Sequence, residues 1–380
     1  MSKDATNPTE THPLDVAPED QVSDEISDAS LLRSQERSDQ IEAEIRTNPG
    51  RFRILTGDRP TGKLHIGHYF GSISNRVRLQ DLGVQTMLVV ADYQVIYDRD
   101  GVGSLQSNVL DGMADYLACG IDPQRSTIFT HSAVTALNQL LLPFLSLVTV
   151  PELHRNPTVK DEMANNPNRP MSGLMLTFPV HQAADILFCK ANLVPVGKDQ
   201  LPHIEITRVI ARRFDERYGR VDPKAPVFPQ AEALMSPAPM ILGLDGTKMS
   251  KSKGNTIEIG MSADETAKLI KRAKTDSERH ITYDPANRPE VSNLVLLASL
   301  ATGGDPVQIA DELGEAGGGG LKKLVTEAIN EHFAPIRARR AELAANPDHL
   351  REVLRKGNER ANEMAEQTLD EVRRAMEMKY

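Results

Sequence analysis

The chain has 380 residues, 39% hydrophobic and 26% charged, with two cysteines. That is enough for one large or two medium domains. It excludes a disulfide framework or a cysteine-built zinc site; no run approaches eighteen apolar residues, which excludes a membrane-spanning helix, and "MSKDATNPTE" lacks the apolar core of a secretory leader. The net charge of −9 is uneven: residues 1–47 hold twelve acidic and four basic residues, the other 333 hold 41 and 40. The acidity therefore describes a tail, and the body remains open to a nucleic-acid partner through a local basic patch.

Residues 1–47 read as an acidic, disordered extension, rich in Pro, Thr, Asp and Glu up to about residue 24, with a turn or two of amphipathic helix within 29–45. "NPG" at 48–50 breaks the chain. The body, 48–260, opens with a short buried strand at 52–55 ending by Gly57, followed by a helix over 65–79. A branched-rich strand "TMLVVADYQVIYD", a helix "SNVLDGMADYLACGID" and a third strand "STIFTHSA" come next. Helical "QAADILFC", a strand and loop "ANLVPVGKDQ" and a long helix "LPHIEITRVIARRFDERYG" complete the alternation. Strands alternating with helices predict an α/β fold with a doubly wound parallel sheet. After about residue 260 the pattern is helical through 380, with "GEAGGGG" at 314–320 as a loop. Its last helices are dense in Arg and Lys, which reads as a solvated face or as a surface for tRNA or another partner. Cys119 and Cys189 lie in apolar stretches and read as small buried hydrophobes of a reducing cytoplasm.

Two segments carry chemistry. "RPTGKLHIGHYFGS", 59–72, places His65 and His68 one helical turn apart where a strand meets a helix. A helix N-terminus offers free N–H groups and a positive dipole end, and small residues let a nucleotide approach the backbone. "GTKMSKSKGN", 246–255, is a glycine-bearing loop whose Lys248, Lys251 and Lys253 suit phosphates. Either word alone reads equally well as surface.

Together, "HIGH" and "KMSKS", intact and 183 residues apart, resemble the paired signatures of class I aminoacyl-tRNA synthetases. The resemblance implies a Rossmann-type catalytic domain, amino-acid activation by ATP with Mg²⁺, and transfer to a tRNA. No covalent enzyme intermediate is needed, because catalysis there is positioning and electrostatics. It also implies a homodimer, no prosthetic group, no dedicated metal site, and a tRNA-anticodon-binding role for helical residues 261–380. The implied catalytic residues are His65, His68, Lys248 and Lys251. The implied ATP contacts are Arg59, Pro60, Thr61, Gly67, His68, Gly197, Lys198, Asp199, Met240, Lys248, Met249, Ser250, Lys251 and Ser252, with Lys160 as a further phosphate candidate.

The short chain has no editing insertion between the motifs, and "AADILFCKANLVPVGKDQLPHIEITRVIARRF" and "VSNL" resemble the tryptophanyl-tRNA synthetases over residues 52–375. Indole N–H is donor only, so its pocket needs an acceptor; the resemblance gives that role to Asp185, with Gln200, Gln182 and Phe178 as further tryptophan contacts. The sequence departs from the family at several points. Many bacterial members have Thr and Asn where His65 and His68 stand, Phe178 replaces a common tyrosine, Gln182 a common methionine, and "ADYQ" a pattern that includes a histidine. Such departures suit an auxiliary copy of the enzyme with altered affinity. The tyrosine-specific relative, a nucleotidyltransferase sharing the first motif, and a tryptophan-binding regulatory paralogue, its acidic tail recruiting a protein partner, are the competing readings.

Overall fold

The computed structural model describes residues 28–96, 103–165, 170–219, 226–235, 241–249 and 253–380. Residues 1–27, and the site candidates Met240, Ser250, Lys251 and Ser252, lie outside the described residues.

Five strands, β1 (Arg53–Asp58), β2 (Gln85–Val90), β3 (Ser126–Thr130), β4 (Leu193–Val196) and β5 (Glu232–Met235), form one all-parallel sheet in the order β3-β2-β1-β4-β5. The strands alternate their side chains between two apolar clusters. Met87 and Val89 join Phe129, Phe188 and Phe214 in one, while Leu88 and Val90 join Ile66, Phe70 and Phe333 in the other. Both faces are thus covered, which is why the strands read as continuous apolar runs. Gly57 lets β1 lie against β2 where a side chain would not fit, since a Cβ there would stand 2.2 Å from the Val89 carbonyl oxygen.

Helix α1 (Asp28–Thr47) corrects the expectation of a disordered extension up to residue 47. Ile41 and Ile45 are fully buried beside Leu193 and Leu234. The Ser38 hydroxyl accepts from the Met235 N–H at 2.9 Å, and Arg37 forks onto Glu232 at 2.5 and 2.7 Å. The helix therefore belongs to the sheet layer beside β5. That strand was not anticipated, because four residues flanked by prolines show no period.

The segment after β1 forms a short helix α2 (Ile66–His68), a π-helical turn Tyr69–Ile73 and α3 (Ser74–Leu82). Helix α4 (Leu105–Ala118) crosses from β2 to β3. Four short helices, α5 (Thr135–Gln139), α6 (Leu141–Leu145), α7 (Val150–Arg155) and α8 (Pro157–Asn165), lead to the buried α9 (Gly173–Phe188), and α10 (Leu201–Tyr218) crosses from β4 to β5. The rest is helical: α11 (Ala263–Lys271), α12 (Pro289–Thr302), α13 (Pro306–Leu313), α14 (Gly317–Ala344) and α15 (Pro347–Ala375).

The glycine run expected as a loop instead opens α14 after a 3₁₀ turn at Gly314–Ala316. A Cβ at Gly318 would sit 3.0 Å from Thr275, so the lack of side chains allows tight packing. The buried stripe Leu321, Val325, Ile329 and Phe333 offsets the poor helix propensity of the first turn. Helix α15 covers edge strand β3: Asn358 Oδ1 accepts from the Thr130 N–H at 3.0 Å, and Thr368 donates to the Phe188 carbonyl at 2.6 Å. Exposed cations of α15 pair with acids on the same helix, as Arg355 does with Glu352 and Glu359. Cys119 and Cys189 are buried, and burial pushes the Cys189 thiol up to about 12. Among the described residues no helix is long and apolar enough to cross a membrane.

Candidate active site

Chain order reverses between β1 and β4, which lie side by side although β2 and β3 follow β1 in sequence. The carboxyl ends of strands flanking such a switch point form a ligand crevice. β1 delivers Arg59, Pro60, Thr61 and the two histidines to that edge; β4 delivers Gly197, Lys198, Asp199 and Gln200, the last three on a 3₁₀ turn leading into α10. Lys198 and Asp199 are exposed there, whereas Pro60 is buried. Thr61 donates its N–H to the Arg59 carbonyl at 2.8 Å, closing the turn after β1.

The histidine rings touch at a tilt, with centroids 3.7 Å apart and planes 39° from parallel. The His65 N–H donates to His68 Nδ1 at 3.1 Å, so the second imidazole caps the helix that the first begins. The π turn that follows immediately is a local departure common at functional sites. Beneath it, Asp58 accepts from Arg76 at 2.5 Å and from Tyr116 at 2.7 Å. Burial raises the Asp58 carboxyl, but Arg76, His68 and Tyr116 together hold it well below the usual carboxylate range.

The two signature words meet. The 64–66 segment pairs antiparallel with 257–259, through Ile66 N–H to Ile257 O at 2.9 Å and Ile259 N–H to Leu64 O at 3.0 Å. A Cβ at Gly67 would stand 2.8 Å from Met249 Sδ, so the glycine of the first word makes room for the methionine of the second. Residues 242–248 form a tight hairpin, Gly243 donating to the Thr247 carbonyl at 2.7 Å. Asn293 on α12 clamps it, accepting from the Leu242 N–H at 2.8 Å and donating to its carbonyl at 3.1 Å. Asn255 ties its far side through Asp245 and the Lys248 carbonyl. Lys248 is exposed and Lys253 donates to Thr247 at 3.2 Å. Lys160 lies on α8, its N–H bonded to the Asn156 carbonyl.

Phe178, Gln182 and Asp185 follow one another along a single stripe of α9. Gln182 donates to Gln200 at 3.4 Å and Gln200 to Asp199 at 2.8 Å, joining the α9 and β4 candidates. Phe178 faces His203 at 5.3 Å. Asp185 is 2% exposed, and His131 Nε2, itself fully buried at the carboxyl end of β3, lies 2.9 Å from its Oδ1.

Helix α14 reaches this edge too. Arg340 pairs with Asp115 and Asp111, and Asp115 accepts from the N–H of Leu64, next to His65. Burial raises the Asp115 carboxyl against the pull of Arg340. His332 on α14 bridges the Ala301 carbonyl at 2.9 Å and the Tyr69 hydroxyl at 3.1 Å. Helical residues after 260 thus hold the histidine corner directly, sharing its core through Phe333 and Phe70.

The family model of class I tRNA synthetases (W and Y) matches residues 47–334. The tryptophan–tRNA ligase of Lactococcus lactis is 40% identical over 341 residues, 86% of this chain and 98% of its own length. The chain belongs to the tryptophan–tRNA ligase family. The Thermotoga maritima ligase is 38% identical over 333 residues, covering 86% of this chain and 100% of its own. The tryptophanyl-tRNA synthetase of Campylobacter jejuni, solved with ADP and tryptophan, matches with TM-score 0.74 at 32% identity, over 86% of this chain and 99% of that one. A tyrosyl-tRNA synthetase of Archaeoglobus fulgidus, 20% identical with TM-score 0.59, shares the fold. As an aminoacyl-tRNA synthetase, the chain has the doubly wound sheet and helical C-terminal part that its sequence predicts.

Sequence reasoning missed several residues packed around the candidate site. His131 was visible as a histidine ending a predicted strand, at the sheet edge where ligands bind. Asn293 lay within the quoted "VSNL" without a role. His181, Asp115 and Arg340 gave no signal, because their partners are distant in sequence.

Proposed function

We propose that this synthetase activates L-tryptophan with ATP and transfers it to tRNA(Trp). A carboxylate oxygen of tryptophan attacks the α-phosphorus, the bond to the bridging oxygen breaks, and pyrophosphate leaves; the terminal ribose hydroxyl of the tRNA then displaces AMP. The observation that carries this reading is the contact of Gly67 with Met249 at the carboxyl edge of β1, which joins the two signature words into one corner. His65, His68, Lys248 and Lys251 are proposed to stabilise the charge developing on the phosphates, and Mg²⁺ to accompany the ATP. Arg59, Pro60, Thr61, Gly67, Gly197, Lys198, Asp199, Met240, Met249, Ser250 and Ser252 are proposed as ATP contacts. Asp185 accepts the indole N–H, and Gln182, Gln200 and Phe178 complete the pocket. Phe178 and Gln182, where the family commonly has Tyr and Met, support an auxiliary copy.

Residues 261–380 are proposed to receive the anticodon stem of the tRNA. Their contacts to Leu64 and Tyr69, through Asp115–Arg340 and His332, support a connection between that end and the ATP corner. A homodimer would cover the exposed Leu142 and Val150 on α6 and α7. A cytoplasmic location is proposed with it, tRNA being the substrate. Aminoacylation of tRNA(Trp) beside tRNA(Tyr), each with its own amino acid, tests the proposal: charging of tRNA(Trp) alone is expected, and charging of tRNA(Tyr) alone overturns it.

A further inference from the structure

A carboxylate 2% exposed needs a compensating charge, and the residue that supplies it lies outside every motif. His131 is the first residue after β3, its side chain wholly shielded from solvent, with Nε2 2.9 Å from Asp185 Oδ1. Its ring is held between Tyr93, stacked at 6.3 Å, and His181 at 4.6 Å. Its backbone is fixed as well: Asn138 Nδ2 donates to the His131 carbonyl at 2.8 Å and to that of Val134 at 3.0 Å, and Asp92 accepts from the Ser132 N–H at 3.1 Å.

Those bonds settle the state of the second imidazole. With its amide nitrogen committed to two carbonyls, Asn138 presents only Oδ1 to His181 Nε2, 2.9 Å away. His181 must therefore carry its proton on Nε2. Burial lowers the His181 pKa, which favours the neutral ring. Burial also opposes charge on His131, but Asp185 and Asp92 outweigh it and raise that pKa. Two adjacent imidazoles thus differ: Asp185, 2.9 Å from His131 Nε2, favours a proton on that ring, whereas burial favours the neutral form of His181. The donor atoms of His131, His181 and Asp185 lie within 4.8 Å of one another. His181 Nε2 is committed to Asn138, while His131 Nε2 and Asp185 Oδ1 lie 2.9 Å apart as a buried ion-pair contact without an aligned hydrogen bond.

We propose that His131 is a positioning residue that sets the amino-acid specificity of this synthetase: its imidazolium balances and orients Asp185 through Oδ1, leaving Oδ2 to accept a ring N–H of the substrate. This rests on the functional reading above. The pocket then demands a donor, and a ring in which sulfur replaces N–H leaves the carboxylate oxygen unmatched. The titratable groups facing His131 are Asp92 and Tyr93 from the segment after β2, and His181 and Asp185 from α9; Asn138 on α5 is neutral.

The test is ATP–pyrophosphate exchange by the full chain from pH 6 to pH 9, with tryptophan and with 3-benzothienylalanine, for the unmodified protein and H131Q. In the unmodified protein KM for tryptophan is expected to rise at the alkaline end, as His131 loses its proton. In H131Q that rise disappears, KM for tryptophan is higher by roughly tenfold or more, the preference over the sulfur analogue shrinks, and KM for ATP stays put. Unchanged KM and unchanged preference in H131Q overturn the proposal. Should H131Q not fold, the unmodified protein decides alone, a flat tryptophan KM across the range being the overturning result. If the unmodified protein exchanges with neither tryptophan nor tyrosine, the functional reading has failed instead. Tryptophan affinity by calorimetry, with the same two proteins and pH range, then reads the His131–Asp185 pair.

Discussion

Gly357 stands in the middle of α15, where intrinsic propensity favours alanine by about 1 kcal/mol. The structure predicts the opposite sign for G357A. A Cβ built there falls 1.8 Å from the Ile128 carbonyl oxygen, 2.8 Å from its carbonyl carbon and 3.2 Å from its nitrogen. All three are backbone atoms inside β3, so no rotamer change relieves the clash, and the helix must retreat by about an ångström or more. Retreat pulls on Asn358, which accepts from Thr130, and on Arg360, which donates to the Pro123 carbonyl at 2.9 Å. Each lost bond costs about 1 kcal/mol, and overpacking adds roughly 1–3 kcal/mol. Subtracting the propensity gain leaves a net loss of about 2–4 kcal/mol. Gly112 in α4 is the control: its Cβ would meet nothing within 4 Å, so G112A should stabilise by about 0.5–1 kcal/mol. Urea unfolding followed by circular dichroism reads both midpoints. A G357A midpoint equal to or above that of the unmodified protein refutes the packing of α15 on the sheet edge.

Asp185→Ala should raise KM for tryptophan about 5- to 150-fold, the equivalent of 1–3 kcal/mol for an unpaired donor, with ATP binding retained; unchanged tryptophan affinity removes Asp185 from the pocket. Asn293→Ala takes both clamping bonds from Leu242, and the exchange rate should fall at least severalfold while tryptophan affinity holds within about twofold; an unaltered rate would mean the hairpin needs no clamp. Lys251→Ala should depress adenylate formation with little effect on tryptophan affinity, read by single-turnover kinetics. His203, 1% exposed, is held by burial at about 4 in the folded state, against about 6.5 when unfolded. The unfolded chain binds the extra proton between those values, so stability is full above about pH 6.5 and is lost toward pH 4, by up to about 3 kcal/mol. Denaturant midpoints across that range should fall less steeply in His203→Leu; parallel slopes would acquit the residue.

What the sequence made legible was local. The strand–helix alternation followed from period and composition, and the two signature words stood intact at 65–68 and 248–252. Phe178, Gln182 and Asp185 came from the family resemblance; the predicted helix began only at residue 182, and it is the structure that sets all three on one stripe of α9. β5 escaped because neighbours, not its own four residues, make it a strand: it pairs with β4 and is covered by α1. The glycine run at 317–320 misled because its packing against Thr275 and Ala316 outweighs propensity. His131 and Arg340 escaped because their meaning lies in partners 54 and 225 residues away, Asp185 and Asp115, which no local pattern connects.

The central claim is that the corner built by His65, Gly67 and Met249 adenylates the amino acid bound at Asp185. ATP–pyrophosphate exchange with purified full-length protein, tryptophan beside tyrosine, tests it most directly. Exchange driven by tryptophan and not by tyrosine is the predicted result. Exchange driven by tyrosine, or tryptophan binding with no exchange at all, would contradict it.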